Sequence, residues 1–178
     1  MTRFIIASAE ACIGCRTCEV ACALEHSASA AMFQPRLKVQ RLDSLSVPVV
    51  CHQCENAPCV AACPVAALSM GEDRVEADAS RCIGCQSCAV ACPFGAITVE
   101  IVAAHPPLII KCDLCASREG GPACVAVCPT AALSVMTGER LATLLKRRQE
   151  IAVERSPGQL RGGSVHRTSG RTCGPGAR

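Results

Sequence analysis

Residues 82–93 read CIGCQSCAVACP, and this stretch decides how the rest of the chain is read. Its four cysteines are separated by two, two and three residues, and a proline closes the run. Residues 12–22, CIGCRTCEVAC, repeat the spacing with alanine in place of the proline. Two looser copies keep the opening C-x2-C and the closing C-x3-C around a longer middle gap. They are CHQCENAPCVAACP from Cys51 to Pro64 and CDLCASREGGPACVAVCP from Cys112 to Pro129. Sixteen of the 17 cysteines in 178 residues fall into these groups, and Cys173 stands alone.

The remaining composition explains why the cysteines must organise the fold. The chain has three Phe, no Trp and no Tyr, and its 50% hydrophobic content includes the cysteines themselves. Large side chains are too few for a generous core, so cross-links must supply what packing does not. Disulfides, zinc and iron–sulfur clusters are the three ways to use so many cysteines. Met1, Thr2 and Arg3 lead into only a short apolar stretch before Glu10 and Cys12, without a signal-peptide core. No window supplies the roughly 18 apolar residues of a membrane span. A cytoplasmic protein is expected, where structural disulfides are disfavoured. Zinc sites favour paired C-x2-C hooks far apart, often with histidine. The third thiol here follows after two residues, as in the bacterial run that holds a [4Fe-4S] cubane. Sixteen grouped cysteines imply four such clusters and leave Cys173 as a free thiol.

The spacing suits the chemistry. A tight loop with two residues between ligands points three sulfurs inward from one turn. Gly14 and Gly84 occupy the step where a side chain would crowd the turn or the cluster. Pro64, Pro93 and Pro129 end the local helical turn after the last cysteine. Ala23 at the corresponding place in the first group lets a helix from about Thr17 continue toward His26. The fourth cysteine of each run is expected to reach a neighbouring cluster. Ala66–Met70 and Arg74–Ala77, around Gly71-Glu72-Asp73, predict a hairpin joining the second and third groups into one two-cluster unit. The first and fourth groups would then close the chain ends around it. Tandem pairing, first with second and third with fourth, stays open on spacing alone.

The chain resembles the four-cluster iron–sulfur subunits of molybdopterin oxidoreductases of the dimethyl sulfoxide reductase and formate dehydrogenase type. It is most similar to the small electron-transfer proteins of formate hydrogenlyase systems. The matching stretches include RFIIA at Arg3–Ala7, CIGCRTCEVAC at Cys12–Cys22, CENAPC at Cys54–Cys59, CPFGAI at Cys92–Ile97, KCDLC at Lys111–Cys115 and GPACVAVCPTAAL at Gly121–Leu133. The resemblance implies nested pairing. Cys12, Cys15, Cys18 and Cys128 would hold cluster A, and Cys22, Cys112, Cys115 and Cys124 cluster B. Cys51, Cys54, Cys59 and Cys92 would hold cluster C, and Cys63, Cys82, Cys85 and Cys88 cluster D. The implied fold is α+β, with two interlocked ferredoxin-like units. Residues 1–35 with 104–136 form one and residues 36–103 the other, followed by a surface helix over 137–155 and a disordered basic tail over 156–178.

The connecting segments say less. Arg36–Leu42 alternates imperfectly and is a weak strand, His26–Phe33 reads as a surface loop, and Pro48–Val50 as a lead into the second group. Pro106 and Pro107 make Ile101–Ile110 extended. Leucines and charges from Gly138 give a helix of three to four turns ending before Pro157. Arg155–Arg178 hold five arginines and no acid. Sixteen thiolate charges, offset by four oxidised cores of about +2 each, turn the formal +3 into about −5.

No catalytic constellation is evident. His26, His52, His105 and His166 do not assemble with carboxylates in sequence, and no phosphate-binding glycine loop is present. His52, inside a ligand loop, is read as an exposed residue. The expected function is electron transfer without catalysis, between a formate dehydrogenase or related molybdopterin oxidoreductase and a hydrogenase or other redox partner. Nucleic acid is not an expected partner, and membrane association would come only through another subunit. The alternative is an accessory role in maturation of a hydrogenase or formate dehydrogenase.

Overall fold

The computed structural model describes residues 3–26, 33–101 and 106–155. The segment 27–32, His105, His166, Cys173 and the tail from 156 lie outside them, and with them the surface-loop and disordered-tail expectations. The chain forms two compact units, Met1–Leu141 and Ala142–Arg178.

Short helices and two-stranded antiparallel ribbons make up the first unit. Strand β1 (Phe4–Ala7) is followed by helix α1 (Thr17–His26), the hairpin β2 (Lys38–Leu42) and β3 (Leu45–Val49), and helix α2 (Pro58–Ala61). A second hairpin, β4 (Leu68–Met70) and β5 (Val75–Ala77), leads into helix α3 (Ser87–Ala91). Strands β6 (Ile97–Glu100) and β7 (Leu108–Lys111) precede helix α4 (Ala123–Ala126), strand β8 (Leu133–Met136) and helix α5 (Gly138–Glu154).

The hairpin expected over 66–77 is present as β4 and β5, with the Gly71 N–H bonded to the Arg74 carbonyl at the turn. Its counterpart joins the two ends of the unit: β1 pairs with β8, Phe4 opposite Met136 and Ala7 opposite Leu133. Helix α1 packs on α4, and α2 on α3. The extended reading of 101–110 holds at Leu108–Lys111, where β7 pairs with β6. The lead into the second group is a strand, β3, with Pro48 opposite Val39. Proline disfavours such a reading but is accepted at the edge of a ribbon.

Two small cores result. One contains Ile5, Leu37, Val39 and Leu133 with Cys18, Cys22, Cys112 and Cys124. The other contains Leu68, Val75, Ile97 and Ile109 with Cys59 and Cys88. Cysteines are part of each core rather than decoration on it. Arg3 ties the amino-terminal end to the β4–β5 turn through its backbone N–H and guanidinium, both bonded to Asp73. Glu19 is buried and accepts the Val39 N–H at 2.5 Å, fixing β2 to α1. Helix α5 runs 17 residues, longer than the expected three to four turns, and none of its residues is buried. Among the described residues, no helix is long and apolar enough to cross a membrane.

Candidate metal centre

The backbone repeats one loop four times. The residue just before the second cysteine of each group has positive φ: Gly14 at 68°, Gln53 at 48°, Gly84 at 75° and Leu114 at 61°. A left-handed residue at that step turns the chain sharply enough to bring successive thiols to the same side. Arg16 and Gln86, the residues before α1 and α3, are also left-handed, at 62° and 60°. Three residues beyond the closing cysteine a third turn recurs, at Ala66, Gly95 and Ala131. The first group lacks it because Ala23 lets α1 run on to His26.

These turns gather the thiols across the groups. Cys12, Cys15, Cys18 and Cys128 line one small pocket, closed by apolar residues that include Val39 and Leu133. Cys63, Cys82, Cys85 and Cys88 line another, closed by residues that include Leu68 and Ile109. In both, three thiols come from one loop and the fourth from a distant group. Cys22 lies near enough to Cys112 and Cys124 to disfavour their ionisation, as does Cys92 for Cys51 and Cys59. The sixteen are free thiols.

Burial divides them. Cys15 and Cys85 are exposed. Cys15 ionises more readily than an ordinary thiol because the Thr17 hydroxyl donates to its Sγ at 3.4 Å. Ser87 does the same for Cys85. Burial pushes Cys18 up to about 11 and Cys112 up to about 12, and Cys124 goes up for the same reason. Buried thiols with raised pKa give up their protons only to a strong cation, so metal loading and proton release are coupled. Backbone N–H groups also reach the sulfurs: Ala67 to Cys63 at 3.2 Å, Ala132 to Cys128 at 3.3 Å and Arg36 to Cys22 at 3.2 Å. Such donors stabilise thiolate charge and tune a bound cluster. Four soft donors in an apolar cavity fit a [4Fe-4S] group.

Sequence reading missed three features around these sets. His26 Nε2 meets Asp113 Oδ1 at 3.0 Å, and Arg36 meets the other Asp113 oxygen at 2.6 Å. The Asp113 hydrogen bond, with help from Cys115 and Cys22, raises the His26 pKa to about 12. His26, Asp113 and Cys115 therefore do form a cluster, correcting the view that no histidine assembles with a carboxylate. Gln53 is buried, bonding the Cys112 carbonyl at 2.8 Å and accepting the Val75 N–H at 3.0 Å. Lys111 is buried beside it. The only sequence signal for either was a polar residue next to a ligand. His52 is exposed, as expected, and stacks on Phe94 with ring centroids 3.9 Å apart.

Thiol sets, apolar cavities and N–H donors of this kind define an iron–sulfur protein. The 4Fe-4S dicluster domain family matches residues 42–138, and a 4Fe-4S binding domain matches residues 9–25. The chain belongs to the 4Fe-4S dicluster family and is an iron–sulfur protein of electron transfer. It is 47% identical to YsaA of Escherichia coli (strain K12), over 85% of this chain and all of that one. It is 44% identical to the electron transport protein HydN of the same strain, over 81% and 93% of the two chains. Formate hydrogenlyase subunit 2, also of that strain, is 37% identical over 90% and 94%.

Proposed function

We propose that this chain is a four-cluster electron relay between a molybdopterin oxidoreductase, such as a formate dehydrogenase, and a hydrogenase or another redox partner. The observation that supports the reading is that thiols of different groups come together. Cys128 joins Cys12, Cys15 and Cys18, and Cys63 joins Cys82, Cys85 and Cys88. Cys22 lies near Cys112 and Cys124, and Cys92 lies near Cys51 and Cys59. Clusters A to D would be held as the nested arrangement assigns them, with residues 1–35 and 104–136 enclosing 36–103. The pairing of β1 with β8 and of β4 with β5 supports it, since each ribbon closes one two-cluster unit. When bound, a [4Fe-4S] cluster takes up and gives back one electron.

The chain's own residues do the rest. Helix α1 carries Cys18 and Cys22 one turn apart, so one rigid segment serves cluster A and cluster B. Cys124, in α4, and Cys128, just beyond it, serve the same two in the opposite order. Cys51 and Cys112 lie close enough to oppose each other's ionisation, which makes B and C neighbours. The order A, B, C, D follows, with the exposed Cys15 and Cys85 at its two ends. Ile13 and Ile83, exposed inside those end loops, give a redox partner an apolar seat close to the first and last cluster. Of the inner thiols, Cys22, Cys59, Cys112, Cys115 and Cys124 are buried and Cys51, Cys54 and Cys92 partly buried, so the middle of the path is better shielded from water than its ends. Similarity to HydN and formate hydrogenlyase subunit 2 supports the choice of partners. A cytoplasmic setting, with membranes approached only through a partner, accords with the same reading.

Anaerobic affinity purification tests it. About sixteen iron and sixteen sulfide per chain are expected, with a copurifying enzyme whose turnover reduces the clusters. A fully reconstituted protein with about eight iron would reject the four-cluster assignment.

A further inference from the structure

Lys111 ends strand β7 and is only 3% exposed. Its ammonium donates to the Cys112 carbonyl at 2.6 Å and to Gln53 Oε1 at 3.4 Å. Gln53, 1% exposed, donates from Nε2 to the same carbonyl and accepts the Val75 N–H, so its amide orientation is fixed and its oxygen faces the lysine. No carboxylate reaches Lys111 among the described residues. Asp113 and Glu76 line the same cleft, but Asp113 is engaged by His26 and Arg36, and Glu76 by Arg74. A buried ammonium satisfied only by neutral oxygens is costly unless negative charge lies nearby. The loops on its two sides supply it, one carrying Cys51, Cys54 and Cys59 and the other beginning at Cys112. Lys111 lies within electrostatic reach of Cys51, Cys59 and Cys112, and so of both loops at once. Other cations near an inner set are matched by carboxylates, His26 and Arg36 by Asp113 and Arg118 by Glu25. Lys111 is the unmatched one.

We propose that the Lys111 ammonium is a fixed positive charge that raises the reduction potentials of the two inner clusters together, with Gln53 as its positioning residue. The inference rests on the four-cluster reading, with Cys51, Cys54, Cys59 and Cys92 around one inner cluster and Cys22, Cys112, Cys115 and Cys124 around the other. Each inner cluster gains one electron, and so one negative charge, on reduction by a partner enzyme or by dithionite. A cation beside both stabilises that added charge through a poorly screening interior. The arrangement keeps the middle of the path from becoming a barrier between the two ends.

The test is a redox titration followed by electron paramagnetic resonance on protein with its iron counted. Wild-type protein with fewer than four clusters would defeat the four-cluster reading itself. With four present, Lys111→Met should lower both inner potentials, each by at least a tenfold change in the one-electron reduction constant, about 59 mV. The outer potentials should move far less, and Lys111→Arg should restore the wild-type values. Gln53→Glu keeps the lysine but sets a carboxylate against it, and should lower the same two potentials. Unchanged inner potentials in either loaded variant would overturn the proposal, as would an equal shift of all four. Should Lys111→Met fail to load iron, Gln53→Glu decides. Failure of both to load would also overturn the proposal, in favour of a packing role.

Discussion

The outer thiol sets and the inner ones are built from the same loop but finished differently. Just before the second cysteine, the left-handed residue is Gly14 or Gly84 in the outer loops and Gln53 or Leu114 in the inner ones. A Cβ on Gly14 would lie 2.8 Å from Ser46 Oγ, and one on Gly84 would lie 3.2 Å from Pro107. Neighbouring chain covers the outer loops closely, so the side chain is given up. The inner loops use theirs: Gln53 bonds across to Cys112, and Leu114 is buried in the core with Cys22 and Cys112. Outer sets therefore keep one exposed thiol at the surface, where a partner can approach. Inner sets are stitched into the fold and shielded.

Iron removal tests this division most severely. Chelation under denaturant, then return to buffer, should abolish cooperative unfolding, because the apolar cores are too small without the clusters. An apoprotein with native-like circular dichroism and a sharp melt would break the argument. Graded exposure to air sharpens it. The outer sets, with Cys15 and Cys85 exposed, should lose iron first, read as stepwise loss of paramagnetic signals on reduction.

Single ligands come next. Cys22→Ala should disturb cluster B and loosen the union of the chain ends, since in the nested arrangement its sulfur would join α1 to the fourth group. Cys85→Ala should cost cluster D alone and leave the β1–β8 ribbon intact. Anomalous scattering or paramagnetic NMR locates the change. A disturbance centred on Cys51, Cys54 and Cys59 in Cys22→Ala would indicate tandem wiring instead.

What the sequence carried and what it withheld follow from distance along the chain. Cysteine spacing is local, so the sets of three, the closing prolines and the β4–β5 hairpin were all legible. The weak strand at Arg36–Leu42 became β2, but its partner was hidden by Pro48. The β1–β8 ribbon joins Phe4 to Met136 and depends on contacts no local pattern announces. His26 and Asp113 are 87 residues apart. Lys111 was the least legible of all: a lysine beside a cysteine reads as surface by default, and only the fold reveals its burial.

Backbone substitutions probe the finish of the loops with smaller effects. Gly84→Ala should destabilise the loaded protein by about 1–2 kcal/mol, from the left-handed φ together with crowding against Pro107 and Ile101. A lower apparent melting temperature at unchanged iron content is the expected result. A variant as stable as wild type would mean that the outer loops do not need glycine, and the contrast with Gln53 and Leu114 would lose its steric basis.

Gly95→Ala should do least. Gly95 has φ 60°, yet a Cβ there meets nothing within 4 Å. Its equivalents after the second and fourth groups, Ala66 and Ala131, already hold alanine at 48° and 51°. The turn therefore accepts a Cβ wherever space permits, and the left-handed penalty of about 1 kcal/mol is the whole native-state cost. Alanine also narrows the unfolded ensemble, which returns about 0.4–1 kcal/mol. The two nearly cancel, so the melting temperature should stay within a few degrees and the iron content should not change. Loss of a cluster in Gly95→Ala would show that the turn beyond Cys92 is tighter than those beyond Cys63 and Cys128. It would also move the boundary between permissive and crowded loops from the outer sets to the third group as a whole.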